Sequence, residues 1–500
     1  LELIMFMRPR LAVAAAAFVS LAGGVAALAQ APAPTAPAAV PAALPPLPAG
    51  QTNEPFPQPI VADRDVIEVT LREFAVLPDL DGTPARMMTL VDEPGARRLW
   101  VSDMAGVLYT VSPDGKTVTP YLDMRDAKWG VAINPQGRER GVQSFALHPQ
   151  FTQAGTPGYG KFYTVIDTTD QAPAPDFTTP HPTTTHDVVM HEWTAQSATG
   201  ATYDGQGPRE MMRFRKPFAN HNGGAIAFNP TARPGSPEFG LLYVSSADGG
   251  SGGDPMNLSQ NRASAFGKIL RIDPLGRNSE NGKYGVPTDN PFVATAGIRP
   301  EIYAVGVRNS QRLGWDSRNG AMYLSDIGQN VVEEVSAVPA GGNLGWNIWE
   351  ASYGFVSTRA VDITKPRSDP SMVWPIVEWD QLDPILQPNN QSAAVGVIFN
   401  RSMLVPQLTN RMLFGDMPSG ELFHVDADNL PQGGQDAIRR VLFKTPGSAE
   451  PRNFEAIVQQ KNIAQGREAA PRVDMRFDAD ASGRIFMLNK ADGVLRVIEP

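Results

Sequence analysis

The amino-acid sequence predicts an all-β fold, a six-bladed β-propeller of four-stranded antiparallel blades. Three observations carry this. The 500 residues include 46 Gly and 46 Pro, and long stretches show no helical period, so short strands joined by turns are favoured over helical bundles. A Gly turn followed by an alternating strand with an aromatic or large apolar residue near its centre recurs at 106–111, 160–165, 240–244, 267–272, 320–324, 420–425, 483–488 and 493–498. The stretch carrying these copies is long enough for six blades of roughly 40–70 residues each. Asp-Gly turns at 113–115 and 491–493 suit connections between antiparallel strands.

The copies are spaced too unequally for a solenoid but suit blades that differ in their inserted loops. A pair of β-sandwiches explains the alternation without supplying so many similar strands. At the N-terminus, Arg8 and Arg10 precede an apolar run over 11–28 that ends at Ala27, Leu28 and Ala29, the three-part pattern of a signal peptide over 1–29. The alternative is a membrane anchor of about 20 residues; Ser20, Gly23 and Gly24 interrupt the run and argue for cleavage, leaving no stable span. Residues 30–65 read as an Ala/Pro-rich tether and lead-in, and 66–500 as a single propeller domain. Within it, 171–185 is rich in Pro and Thr and reads as a surface excursion. The segment 354–391, with several Pro residues, Trp374 and Trp379, reads as a long loop over one face that walls a substrate site.

The net charge of -9 with no clustered Lys or Arg argues against a nucleic-acid partner. The absence of Cys excludes disulfides, thiolate metal sites and cysteine nucleophiles. Among six histidines, His148 and His424 sit in apolar or alternating strands and read as structural. His181, His186 and His191 are spaced by five, but without the carboxylate pattern of a zinc site.

His221 differs. Asn220 and Asn222 flank it, Gly223 and Gly224 follow, and then a strand begins. Such a loop lets backbone approach a ligand, and an imidazole near neutral pKa suits proton abstraction from an alcohol; a loop histidine bonded to a neighbouring turn is the alternative. Arg308 and Asn309 also lie at a strand end, where Arg308 can stabilise a developing oxyanion and Asn309 and Gln311 can hold carbonyl oxygens. A structural salt bridge is the competing role for Arg308. The loop 326–330, followed by Glu333 and Glu334, offers hard oxygen ligands of the type calcium prefers, or is a solvated acidic turn. The Gly-rich stretch 246–254 lacks the ending of a phosphate loop; Asp248 and Asp254 in it bind an ion or tie a long turn.

Over 68–498 the chain resembles the glucose/sorbosone dehydrogenase family, which includes soluble quinoprotein aldose dehydrogenases and the propeller domain of hedgehog-interacting-type proteins. The resemblance rests on Asn-His-Asn-Gly-Gly at 220–224, Gly-Lys-Ile-Leu-Arg-Ile-Asp at 267–273, Asp-Asn-Pro-Phe at 289–292, Gly-Val-Arg-Asn at 306–309 and Gly-Gly-Asn-Leu-Gly-Trp at 341–346. It implies a six-bladed propeller with calcium and pyrroloquinoline quinone (PQQ). It implies His221 as general base and Arg308 as the group that stabilises charge on the reduced quinone oxygen. The cofactor would be lined by Glu139, Asn220, Asn309, Gln311, Arg472 and Arg476. Carbonyls of Gly328 and Gln329 would ligate calcium, with Glu333 and Glu334 near a second, structural calcium. Four departures stand out: Glu139 where the glucose enzymes place a glutamine, Ile327 in place of a polar residue, Pro418 in place of a lysine, and Arg472 and Arg476 as a loose match to paired arginines.

The resulting expectation is a periplasmic or secreted quinoprotein dehydrogenase that oxidises an aldose, a sorbosone-like aldehyde or a related sugar. No haem motif is present, so electrons would leave through a separate acceptor. Two alternatives are a noncatalytic extracellular calcium-containing propeller that binds a glycan or protein, and a calcium-dependent hydrolase of the lactonase kind. His221 with Arg308 favours the enzyme; Ile327 and Pro418 favour the binding module.

Overall fold

The computed structural model of the chain describes residues 46–95, 97–387 and 391–500. The expected signal peptide and the tether as far as residue 45 lie outside the described residues. Strands and turns dominate, and the all-β expectation holds. Among the described residues there is one α-helix, Phe454–Ala464, started by the Asn453 side chain accepting the Ala456 N–H and held by buried Phe454, Ile457 and Val458.

Four antiparallel four-stranded sheets follow one another along the chain. The first contains Met87–Asp92, Leu99–Asp103, Val107–Val111 and Val118–Asp123; the second contains Val142–Leu147, Lys161–Thr168, His186–Thr194 and Arg209–Lys216. The third contains Ile226–Phe228, Leu242–Ser246, Lys268–Ile272 and Ile302–Val305; the fourth contains Arg312–Trp315, Met322–Asp326, Val332–Ala337 and Val377–Asp380. A nine-stranded sheet completes the series. It joins a run from Ala394–Asn400 to Arg439–Thr445, with Ser448–Arg452 at its side, to a second run of Arg476–Ala479, Ile485–Leu488 and Val494–Glu499.

The joint is Ile67–Val76. This strand pairs antiparallel with Val494–Glu499 and parallel with Arg439–Thr445, so the N-terminal strand completes the C-terminal sheet. The strands beginning at Met87, Val142, Ile226, Arg312, Ala394 and Arg476 lie against one another in that order, and the last lies against the first. Middle strands such as Leu99–Asp103 and Val107–Val111 are buried along their whole length because both sheet faces are covered. The aromatic residues of the recurring theme fill the space between sheets: Tyr109, Tyr163, Tyr243, Phe423 and Phe486 are all buried.

Two sequence expectations change. The segment 354–391 is not one long loop. Tyr353–Ser357 and Ala360–Asp362 form a small sheet with Trp349–Glu350 and Gln51–Thr52, and Val377–Asp380 is the outer strand of the fourth sheet. Trp379 is fully buried against Phe414 and Phe423 rather than walling a site. The Pro residues that suggested a loop delimit strands only two to five residues long, too short to show a period. The described end of the lead-in is also part of the fold, since Ile60 is buried and its N–H donates to Asp383 at 2.7 Å.

Candidate functional site

The site lies where three connections meet at the starts of first strands. The loop before Val142–Leu147 carries Glu139, the loop before Ile226–Phe228 carries His221, and the loop before Arg312–Trp315 carries Arg308, Asn309 and Gln311. Hydrogen bonds tie them: Asn222 Nδ2 donates to the Glu139 carbonyl at 3.2 Å, and the Gly223 N–H donates to Asn309 Oδ1 at 3.2 Å. The first strands line a cavity of about 820 Å³ that runs from Ala225 and Gln311 at their starts to Asn229, Arg401 and Gly483 at the opposite ends.

His221 takes a left-handed backbone conformation, φ 56°, which costs a non-glycine residue on the order of 1–3 kcal/mol. Two side chains hold it there. Glu139 Oε2 accepts the His221 N–H at 2.8 Å, and buried Lys216 donates to its carbonyl at 2.6 Å. Gly224 has to be glycine: its φ is +81°, and a Cβ there would stand 2.7 Å from the Cβ of Gln143. The imidazole is buried, and its Nδ1 lies 2.7 Å from Asp248 Oδ1. Asp248 also accepts the Gly250 N–H and the Trp346 indole N–H, each at 2.9 Å. The neighbouring imidazole and Arg308 hold the Asp248 carboxyl below the usual range despite its complete burial. An ionised Asp248 makes Nδ1 the protonated nitrogen and leaves the Nε2 lone pair free, the tautomer a base requires. Burial, then the Arg308 charge, hold His221 below the ordinary histidine value.

Arg308 and Asn309 are fixed from beneath. Asp326 accepts both their backbone N–H groups at 2.7 Å, and burial pushes its carboxyl up to about 6. The Arg308 guanidinium donates from Nη1 to the Ile327 carbonyl at 2.7 Å and lies 5.4 Å from the centre of the Trp346 ring, while its buried Nε has no partner. Position 327 therefore contributes its carbonyl to the site, which is indifferent to the side chain.

The turn after Ile327 is organised by Glu350. Its Oε1 accepts four successive backbone N–H groups, from Gln329, Asn330, Val331 and Val332, at 2.8–3.1 Å. The carbonyl and N–H of a trans peptide point in opposite directions. The carbonyls of Gly328 and Gln329 therefore turn away from Glu350, and no donor among the described residues reaches either one. Gly328 is required because a Cβ would collide with the Val332 carbonyl. This is a two-carbonyl cradle whose chemistry fits a hard cation. Among the described residues, no group of three His, Cys, Asp or Glu is arranged to hold a metal.

Glu333 and Glu334 are on a strand rather than in a solvated turn. Glu333 accepts from Gln381 Nε2 at 2.5 Å, the Ala394 N–H at 2.7 Å and the Gly328 N–H at 3.2 Å, and burial pushes it up to about 8. Glu334 stands between Asp326 and Glu378 in the strand register and accepts from the Ser336 hydroxyl at 2.7 Å. Burial and the charge of Asp326 hold it well above the usual carboxyl range.

Of the remaining expected residues, Asn220 accepts the Ser251 N–H at 2.9 Å, on the Gly-rich loop that also carries Asp248. Gln311 accepts from Arg476 Nη2 at 2.8 Å, and Arg476, fully buried, keeps an unpartnered Nε. Arg472 pairs with Asp474 and donates to Gln391 at 2.8 Å. The sequence reasoning missed Glu350 and Lys216, and treated Asp248 as only one option in a long turn. His186, set aside there, supports the site: its Nε2 lies 2.8 Å from Asn222 Oδ1 and 3.3 Å from Asp167. The available signal for Asp248 was its Asp-Gly-Gly run; nothing local marks a glutamate reaching across to position 329.

The unpartnered Nε atoms of Arg308 and Arg476 can each donate to an anionic cofactor such as PQQ, and the paired free carbonyls fit calcium. A family model described as glucose / sorbosone dehydrogenase matches residues 83–442. The HIPL1 protein of Arabidopsis thaliana is 27% identical over 463 residues, which are 83% of this chain and 61% of that protein. The aldose sugar dehydrogenase YliI of Escherichia coli is 23% identical over 222 residues, 43% of this chain and 51% of that one. This chain thus spans less than two thirds of either relative. The PQQ-bound form of an aldose sugar dehydrogenase from Streptomyces coelicolor shares the fold, with a TM-score of 0.52 and 18% identity over 86% of this chain and 98% of that one. With the family match over most of its length, this chain belongs to the glucose/sorbosone dehydrogenase family.

Proposed function

We propose that the chain is a periplasmic or secreted sugar dehydrogenase that uses PQQ and calcium, built as a single six-bladed propeller over 66–500. The six-blade count reads the nine-stranded sheet as two four-stranded blades joined through Ile67–Val76. The observation that carries the function is the buried Asp248–His221 pair set beside Arg308, whose Nε is free. When bound, PQQ supplies a two-electron acceptor for the hydride leaving the anomeric carbon, and the sugar becomes a lactone.

The chain's own groups do the rest. His221 Nε2 takes the hydroxyl proton while Asp248 holds Nδ1–H and stabilises the imidazolium that results. Arg308 places positive charge where negative charge accumulates, next to the carbonyls of Gly328 and Gln329 that would hold calcium. Asn309, held through Asp326, and Gln311, held by Arg476, present amide groups to the cofactor from fixed positions, and Asn220 is held through Ser251. Glu139 serves mainly to hold the His221 backbone. Glu333 and Glu334 lie behind the calcium loop, where a second, structural cation would be shared among carboxylates. A separate acceptor reoxidises the cofactor.

The test is a titration of the calcium-loaded chain with PQQ, followed by a panel of aldoses. Saturable binding with sugar-dependent bleaching of the quinone is expected, and His221→Ala should slow it by about 100–10,000-fold. Absence of binding would sink this reading and leave the noncatalytic propeller, which Pro418 favours. The pH dependence is a second check. The base acts when neutral, so kcat/KM rises as pH rises through its pKa. Because burial and Arg308 lower that pKa, the acid limb is expected below pH ~6.5, the ordinary histidine value. A limb above that value would remove His221 as the base.

A further inference from the structure

The family pattern loses a lysine at Pro418, yet the same region of the fold holds more positive charge than its own carboxylates use. Arg476, Arg472 and Arg86 all act on Lys490, and the carboxylates set among these cations are Asp474 and, beside Arg476, Asp478, which Arg312 also pairs with. Asp474 pairs with Arg472 and lies 3.9 Å from Lys490 Nζ. The Lys490 side chain is only 7% exposed. Its Nζ also donates to the Arg138 carbonyl, at 2.7 Å. Burial, then the charges of Arg476 and its neighbours, lower the Lys490 pKa to about 7. The fully buried Arg476 has an unpartnered Nε besides. Cations that outnumber the carboxylates around them, with Arg476 and Lys490 out of water, are costly to pack unless another anion joins them.

The location is specific. The Val473 N–H donates to the Pro418 carbonyl at 3.4 Å, and the Lys490 N–H donates to the Val473 carbonyl at 3.1 Å. Positions 418, 473 and 490 therefore stand in a row across one edge of the site, with Lys490 on the far side of residue 473 from the missing lysine. The row is bound into the site at two points. Arg138, which accepts from Lys490, precedes Glu139, which holds the His221 N–H; Arg476 holds Gln311.

We propose that Lys490, with Arg472 and Arg476, forms a carboxylate-binding subsite for the quinone cofactor and supplies from a different strand connection the cation absent at Pro418. The inference rests on the cofactor reading above. An ammonium facing a carboxylate makes a charge-assisted hydrogen bond, stronger than a neutral contact, so its loss is read directly as affinity.

The experiment compares PQQ dissociation constants, by quinone absorbance at equilibrium, for the wild-type chain, Lys490→Gln, and Lys490→Gln combined with Pro418→Lys. Glutamine keeps a donor for the Arg138 carbonyl and removes only the charge. Lys490→Gln is expected to weaken PQQ at least tenfold and to flatten the salt dependence of binding, and Pro418→Lys is expected to recover most of the loss. Wild-type binding that Lys490→Gln leaves unchanged would overturn the subsite while the cofactor reading stands. No binding by the wild-type chain would overturn both. A Lys490→Gln chain that loses melting temperature but keeps its PQQ affinity would make Lys490 a pin for the 134–140 loop alone, and would equally overturn the proposal.

Discussion

Asp248→Asn is expected to lower turnover of the PQQ- and calcium-loaded chain by about 1,000–10,000-fold while leaving the PQQ dissociation constant nearly unchanged, the scale seen when a catalytic histidine is held in the wrong tautomer. The geometry gives asparagine no good orientation. Asp248 Oδ2 accepts the Trp346 indole N–H, and Oδ1 accepts both the Gly250 N–H and His221 Nδ1. Turning the new amide NH2 toward His221 forces Nδ1 to accept, which puts the proton on Nε2 and removes the lone pair a base needs. Turning it toward Trp346 sets donor against donor in a buried site, at a cost of about 1–3 kcal/mol. Either orientation also removes the negative charge that stabilises the imidazolium. Stopped-flow reduction of the bound quinone by saturating sugar measures the step directly. A rate within tenfold of the wild type would mean that His221 is not the base, or that Asp248 does not set its tautomer.

Glu350→Ala is expected to destabilise the fold by on the order of 2–4 kcal/mol, because, of the four backbone donors that now share one oxygen, it strands two, those of Val331 and Val332, out of reach of water. The functional consequence is separable. Those same N–H groups set the direction of the Gly328 and Gln329 carbonyls, so calcium should raise the melting temperature of the wild-type chain and scarcely that of the alanine variant. Glu350→Gln keeps an acceptor oxygen at the turn and is expected to retain part of the calcium effect. Melting curves with calcium and with a chelator decide it. Equal calcium shifts in wild type and Glu350→Ala would show that the carbonyl cradle is not a calcium site, or that the turn holds its shape without Glu350. The raised carboxyl pKa of Glu350 follows from burial first, and the Val331, Val332 and Asn330 N–H groups and the Arg308 charge oppose it. The free Oε2 behind them has no partner among the described residues.

Much of the fold was legible because its units are local. A Gly turn, two or three alternating residues and a central aromatic are enough to mark a half-buried strand, and the residues marked that way at Tyr109, Tyr163 and Tyr243 do fill the space between sheets. The short strands of 354–391 were not legible. Ala360–Asp362 lies between Tyr353–Ser357 and Gln51–Thr52, the latter some 300 residues earlier in the chain, and pairing at that separation leaves no periodic trace in either segment.

The site divides the same way. His221, Arg308, Asn309, Gln311 and the Gly328–Gln329 pair are singled out by the sequence alone, since each sits in a short polar or glycine-bearing connection next to a strand. What only the tertiary structure decided is the state of those groups. Asp248 selects the His221 tautomer from a different loop, and Glu139 and Lys216 hold the His221 backbone from two others. Glu350 orients the Gly328 and Gln329 carbonyls, and Lys490 stands in a row with Pro418 only through Val473. Protonation, carbonyl direction and local charge depend on distances of a few ångströms between residues far apart in the chain, and that information comes into being only when the sheets close on one another.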